Sequence, residues 1–275
     1  MAPRPLRIAI LECDTPLPGT QKTYGGYGGV FTALLRSAAS SLSPPLPESD
    51  LVLSAYDVVK EIYPPSLDEI DGILITGSRH NSFESDPWIL KLVERLFWPP
   101  DRGAGTWCFE SDPWILKLVE YVKQILAQDR VRIVGVCFGH QIVGRALGAP
   151  VGRSDEGWEL SVTDLSLTPA GKEIFGQDKL AIHQLHRDVV AAYPEGVEPL
   201  AHTDQCINHA MYIPRRVITI QGHPEFTDTI LGEILVARNG SGIIDDVSFK
   251  DAMTRLKDKQ DGVLVARAFL RFLLE

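Results

Sequence analysis

Cys137 and His223 each follow a short apolar run, and the residues around them fit a cysteine acyl-transfer site. The run Val131-Arg132-Ile133-Val134 leads into Gly135-Val136-Cys137-Phe138-Gly139-His140-Gln141, a small-residue turn with a thiol at its apex. The run Val217-Ile218-Thr219-Ile220 leads into Gln221-Gly222-His223-Pro224-Glu225, an imidazole succeeded two residues on by a carboxylate. A cysteine on a sharp strand-to-helix turn is held off the core, and glycines at 135 and 139 remove side chains that would crowd it, the logic of a nucleophile elbow. Its sulfur would lie at the N-terminus of the helix opening at Gly139, where the helix dipole suits negative charge. The amide of Phe138, one residue past the thiol, can point at a developing oxyanion. Side chains alternate along an extended segment, so His223 and Glu225 face the same way and Glu225 could fix the tautomer of His223. A lone buried cysteine or a lone loop histidine is ordinary. It is the conjunction that points to chemistry.

The elements that must position these groups are legible as strands alternating with helices. Residues 6–11, 51–56, 72–76, 131–136 and 217–220 read as strands, with helices ending near 41, over 139–147, and two closing helices over about 228–238 and 249–274. From 159 to 220 the pattern changes to short alternating segments (159–167, 180–183, 199–201, 207–213), which suggests antiparallel strands added to a parallel sheet. This spells an α/β fold: a flavodoxin-like open, mostly parallel sheet with helices on both faces, ligands at its carboxyl edge, and the whole of 1–275 as one domain. Tyr24-Gly25-Gly26-Tyr27-Gly28-Gly29 lacks the spacing of a phosphate-binding loop and reads as a flexible turn.

Composition narrows the function. With 27 basic and 36 acidic residues the net charge is −9, and no basic cluster exceeds Pro214-Arg215-Arg216, which argues against nucleic acid or an anionic membrane as partner. No apolar run approaches a membrane span and no signal-peptide core precedes the first strand. Four cysteines in 275 residues make no disulfide framework, and no Cys or His spacing suggests a metal; neither metal nor cofactor is expected. A catalytic thiol without structural disulfides fits a reducing, cytoplasmic setting, with Cys13, Cys108 and Cys206 structural.

One segment is anomalous. Phe83-Glu84-Ser85-Asp86-Pro87-Trp88-Ile89-Leu90-Lys91-Leu92-Val93-Glu94 recurs unchanged as residues 109–120, offset by 26 residues. Both copies carry Asp-Pro, a helix-start signal, yet only one helix site should exist between the strands ending at 76 and starting at 131. The second copy continues through Tyr121-Val122-Lys123-Gln124-Ile125-Leu126, whereas the first stops at Pro99-Pro100. The longer stripe buries more, so the second copy is expected to dock on the sheet and the first to bulge outward near the site.

The G-x-C-x-G-x-Q and H-P-E patterns, both intact here, resemble the class I (triad) glutamine amidotransferases, most closely the stand-alone fungal and plant branch that includes γ-glutamyl peptidases. The resemblance runs from about Ile8 to about Leu235, and the duplicated segment departs from it. It implies Cys137 as nucleophile, His223 as general base and acid, and Glu225 as the orienting carboxylate. It also implies Gly77 and Phe138 as oxyanion donors, and Gln141, Ser78, His186 and Asp188 as substrate-side residues, the last two from His186-Arg187-Asp188-Val189-Val190. The activity implied is hydrolysis of a small γ-glutamyl amide through a thioester, with glutamine as substrate and ammonia passed to a separate enzyme, because no acceptor domain is expected in the remaining chain. A γ-glutamyl peptidase and a catalytically silent binding protein on the same fold are the alternatives.

Overall fold

The computed structural model describes residues 4–83 and 112–275. A nine-stranded sheet organises them in the order β2-β1-β3-β4-β11-β10-β9-β6-β7. Five strands form its parallel half: β2 (Leu51–Asp57), β1 (Leu6–Glu12), β3 (Gly72–Ile75), β4 (Arg132–Val136) and β11 (Val217–Ile220). The remaining four, β10 (Ala210–Ile213), β9 (Glu198–His202), β6 (Glu159–Leu167) and β7 (Lys179–His186), continue it antiparallel. A separate two-stranded ribbon joins β5 (Val151–Arg153) to β8 (Asp188–Val190). The mostly parallel sheet with antiparallel additions is the architecture the sequence implies.

The central strands are apolar on both faces because both are covered. In β1, Leu6, Ile8 and Ile10 enter one core, while Ala9 and Leu11 enter the other. The first core receives Phe31 and Leu35 from α2 (Tyr27–Ser40) and Val265, Phe269 and Leu273 from α8 (Gly262–Leu274). The second receives Trp114, Ile115, Leu118, Val122 and Ile125 from α3 (Pro113–Gln128), and Phe138, Ile142 and Val143 from α4 (Phe138–Ala146). Helix α3 takes in residues 113–120 of the second copy and runs on through residues 121–128, with Pro113 in its first turn and its apolar stripe buried. The first copy lies, beyond Phe83, outside the described residues.

Several elements are not legible in the sequence. Helices α1 (Pro18–Tyr24) and α5 (Pro169–Phe175) and the ribbon β5–β8 are too short to show a periodic pattern. The glycine-rich stretch is the junction of α1 and α2: Gly25 ends α1 with φ 78°, a left-handed cap. The amide of Gly28, in the first turn of α2, donates to Glu12 Oε1 at 2.7 Å, so the carboxylate ending β1 occupies the place an anion would take. The first expected closing helix is α6 (Asp228–Gly240), but the second, over 249–274, is two helices, α7 (Asp246–Arg255) and α8. The break follows from docking: Asp261 exchanges hydrogen bonds with Ala181, donating its amide to the Ala181 carbonyl at 2.6 Å and accepting the Ala181 amide on its carboxylate at 2.9 Å. A β-carbon on Gly262 would drive into the carbonyl of Pro224, so the chain turns there against the His223–Glu225 segment.

Leu118 is fully buried at the centre of the α3 stripe. Leu118→Ala is expected to cost about 2–5 kcal/mol in unfolding free energy measured by urea titration, the range for a buried leucine that leaves a cavity. A loss well under about 1 kcal/mol, the scale of surface changes, would mean that the second copy is not the docked one.

Candidate active site

The carboxyl ends of β1, β3, β4 and β11 open into one cavity of about 380 Å³, bordered by Asp14, Gly77, Cys137 and His223 among others. Parallel sheets place ligand sites at this edge. Cys137 succeeds β4 and caps α4 with φ 51° and ψ −105°, a conformation that L-residues adopt only under constraint. Its amide donates to the carbonyl of Ile220 at 2.9 Å, which pins the turn to the end of β11. The glycines around it are required by contact. A β-carbon on Gly135 would stand 2.8 Å from the Gly139 carbonyl oxygen, and one on Gly139 would meet Ile75 of β3.

Because β4 and β11 are parallel neighbours with Val136 opposite Ile220, the chain leaving β11 passes beside the cysteine turn. His223 Nδ1 stands 2.8 Å from Glu225 Oε1, and the imidazole lies flat on Phe226, ring centres 4.0 Å apart and planes 3° from parallel. The amide of His223 donates to the His183 carbonyl at 2.8 Å, fixing the backbone to β7. Gly77 closes the opposite side: a β-carbon there would be 2.7 Å from His223 Cε1 and 3.6 Å from the Cys137 β-carbon. Cys137, His223, Glu225 and Gly77 thus border one corner of the cavity, with Cys137, His223 and Glu225 at most 5 % exposed.

Burial alone would push the imidazole of His223 toward its neutral form. The charges of Cys137 and Glu225, and hydrogen bonds to both, outweigh it and raise the pKa from 6.5 to about 10. Neighbouring His183 and His140 go the other way, burial pushing them down to about 4 and about 3. Burial pushes the thiols of Cys13 and Cys206 up, so they are inert packing groups.

The remaining expected site residues fall into two groups. Ser78, Gln141, His186 and Asp188 all border the cavity. Gln141, however, is held by its own side-chain amide: Oε1 accepts from the Ser82 hydroxyl at 2.7 Å, and Nε2 donates to the Asp188 carbonyl at 2.9 Å and to Gln221 Oε1 at 3.1 Å. It ties three segments of the cavity wall together. The Asp188 carboxylate accepts from Arg153 Nε at 3.1 Å, Ser78 Oγ accepts from the His80 amide at 3.1 Å, and His186 turns to Glu159.

Three wall residues are not singled out by the sequence, although Arg187 lies between two that are. Trp158 is flanked by two guanidiniums, Arg187 with its carbon 4.9 Å and Arg238 with its carbon 5.2 Å from the indole centre. Neither arginine forms an ion pair among the described residues. Asp14 accepts the amide of Arg79 at 2.9 Å and pairs with its guanidinium at 2.7 Å, holding the turn after Gly77 against the end of β1. A stacked Arg-Trp-Arg group is a cation–π arrangement that only the fold assembles.

The class I glutamine amidotransferase profile matches residues 111–240. A putative glutamine amidotransferase-like protein of Schizosaccharomyces pombe is 34% identical over 273 residues, covering 98% of each chain. Gamma-glutamyl peptidase 3 of Arabidopsis thaliana is 28% identical over 237 residues, 83% of this chain and 79% of that one. Among solved structures, a glutamine amidotransferase from Thermotoga maritima superposes with a TM-score of 0.63 at 15% identity, covering 98% of this chain and 99% of that one. The chain belongs to the class I glutamine amidotransferase-like family.

With its pKa raised above the ordinary value, protonated His223 contributes stability that is complete below about 6.5 and is lost as pH rises through about 10. Glu225→Gln is expected to lower the titration midpoint of His223, tracked through its imidazole Cε1 proton by NMR. An unmoved midpoint would remove Glu225 from the ion pair.

Proposed function

We propose that the chain is a cysteine-dependent amide hydrolase acting on γ-glutamyl compounds, with glutamine as the simplest substrate. The observation that carries this reading is the 2.8 Å contact of His223 with Glu225 in the cavity that also holds Cys137 on its left-handed turn. The Cys137 sulfur attacks the γ-carbonyl carbon beside His223, which already carries the proton, and the amides of Gly77 and Phe138 receive the oxyanion. As the C–N bond breaks, His223 passes that proton to the departing nitrogen, releasing ammonia or an amine. Water, deprotonated by His223, then attacks the thioester; the C–S bond breaks and glutamate leaves with the thiol restored. Glu225 holds the imidazole for both transfers.

Ammonia released from glutamine would pass to a separate enzyme or to solution. A second reading, hydrolysis of γ-glutamyl peptides or conjugates, is favoured by the Arg187–Trp158–Arg238 group, two cations with no direct ion pair among the described residues, bordering the cavity. That group suits a substrate carrying a further carboxylate on the amine it releases. The thiols at Cys13, Cys137 and Cys206 are free, which fits a reducing, cytoplasmic setting, and no helix among the described residues is long and apolar enough to cross a membrane.

Glutamate release from glutamine and from γ-glutamyl dipeptides tests the reading. Cys137→Ala is expected to lose about 10⁴-fold or more in rate, the scale seen when a nucleophile is removed. Unchanged turnover in that variant would sink the assignment, and a folded wild type that hydrolyses neither substrate would leave a silent binding protein.

Arg238→Ala separates the two substrate classes. It is expected to raise KM for a γ-glutamyl dipeptide by about tenfold, the worth of one charge-assisted hydrogen bond, with little change for glutamine. An equal rise for both would place Arg238 on the glutamate portion and return the reading to glutaminase.

A further inference from the structure

Behind the His186 wall of the cavity lies a cluster that the proposed chemistry does not use. Glu159 starts β6, His186 ends β7, and His209 immediately precedes β10. All three are buried, with exposures of 4 %, 5 % and 0 %. Glu159 Oε2 stands 2.9 Å from His186 Nε2 and 3.4 Å from His209 Nε2, and the three atoms lie within 4.8 Å of one another.

The contacts within the cluster are short but poorly directed for hydrogen bonds. Despite the short distances, Glu159 Oε2 and both ring nitrogens of His186 and of His209 lack a hydrogen bond of acceptable geometry. Buried polar atoms seldom go unsatisfied, and five in one pocket is far from ordinary. Two imidazole nitrogens and a carboxylate oxygen gathered this closely are spaced as the ligands of one metal ion can be. Ligand atoms about 2.1 Å from a tetrahedral zinc ion stand roughly 3.4 Å apart, close to the two distances from the carboxylate. We infer that Glu159, His186 and His209 form a two-histidine, one-carboxylate site for a divalent transition metal, with zinc as the expected ion.

The donor set supports the assignment. Two imidazoles and one carboxylate suit a borderline ion such as zinc, whereas calcium and magnesium prefer oxygen throughout. The single carboxylate offsets half of the ion's charge in a buried place. The fourth position falls to water; His140, outside the cluster, sits against its histidines. The ion would be structural. It would tie β6 and β7 to the start of β10 and so anchor the turn that presents Arg187 and Asp188 to the cavity.

The test is metal content and stability of the full chain, read without reference to activity. Protein purified without an affinity histidine tag, stripped with chelator and dialysed against zinc, is expected to retain about one equivalent by elemental analysis and to melt at a higher temperature than the stripped form. Glu159→Gln and His209→Gln, checked for folding by circular dichroism, are expected to weaken zinc binding by roughly 100-fold or more, since losing even a partner one shell out costs 10–100-fold. Cys137→Ser should keep the equivalent, which separates this site from zinc held adventitiously on the reactive thiol. A wild type that retains no zinc, a Cys137→Ser protein that loses it, or folded Glu159 and His209 variants that keep full affinity would each overturn the assignment. If the Glu159 and His209 variants fail to fold, cobalt substitution of the wild type decides the matter. A nitrogen-and-oxygen tetrahedral spectrum supports the site, and a thiolate charge-transfer band refutes it.

Discussion

The left-handed backbone of Cys137 is the constraint on which the rest of the structure depends. A residue with a β-carbon held at φ 51° costs on the order of 1–3 kcal/mol and persists only where its surroundings leave no alternative. Those surroundings are specific. The Ile220 carbonyl holds the cysteine amide, Gly135 and Gly139 let the turn close, and Ile75 of β3 packs where a side chain on residue 139 would lie. These contacts come from three parallel strands and the helix that opens at the turn. The strained turn is therefore only as stable as the register of β3, β4 and β11, which the two-faced apolar core fixes.

The same register delivers the histidine. With Val136 opposite Ile220, the residues leaving β11 run alongside the cysteine turn, and His223 needs no long excursion to reach it. The electrostatics of a buried cation must then be met. Glu225 and Cys137 supply the charge, Phe226 the flat apolar face, and His183 the backbone anchor. The C-terminal helices enter the same account. The side-chain amide of Gln260 donates to the Phe226 carbonyl at 3.0 Å, and Gly262 packs on Pro224. The break between α7 and α8 thus buttresses the segment carrying the histidine and its carboxylate.

Features whose cause is local are legible in the sequence; those whose cause is tertiary are not. Strands β1, β2, β3, β4, β6 and β11 show as apolar or alternating runs because their burial writes a periodic pattern, and the cysteine and histidine turns show because they come directly after such runs. Trp158, Arg187 and Arg238 come from three separate segments and meet only after folding, as do Glu159, His186 and His209. No spacing rule reaches residues so far apart in the chain. Gln141 illustrates the opposite limit: motif position places it at the cavity, but only coordinates reveal that Ser82, Asp188 and Gln221 occupy its amide. The split of the last helix is hidden because Asp261 and Gly262 break a continuous amphipathic pattern through contacts with β7 and Pro224.

The repeated segment bears on the helix that supports the cysteine turn. Trp114, at the start of α3, packs on Phe138 with ring centres 5.6 Å apart and meets His80 edge-on at 5.3 Å. It therefore supports the residue whose amide is proposed to receive the oxyanion. Both copies offer the same Trp-Ile and Leu-Val pairs, so either could present this face to Phe138. The residues C-terminal to each copy decide between them. Only the second copy runs on through Val122 and Ile125, which are buried in the same core, and into β4 without a long return. The two described ends of the intervening chain both lie near the cavity rim: Asn81 borders the cavity, and His80 Nδ1 stands 3.2 Å from Asp112 Oδ2. The described ends of the repeated stretch thus meet beside the cavity, and the helix face on which the cysteine turn rests is intact.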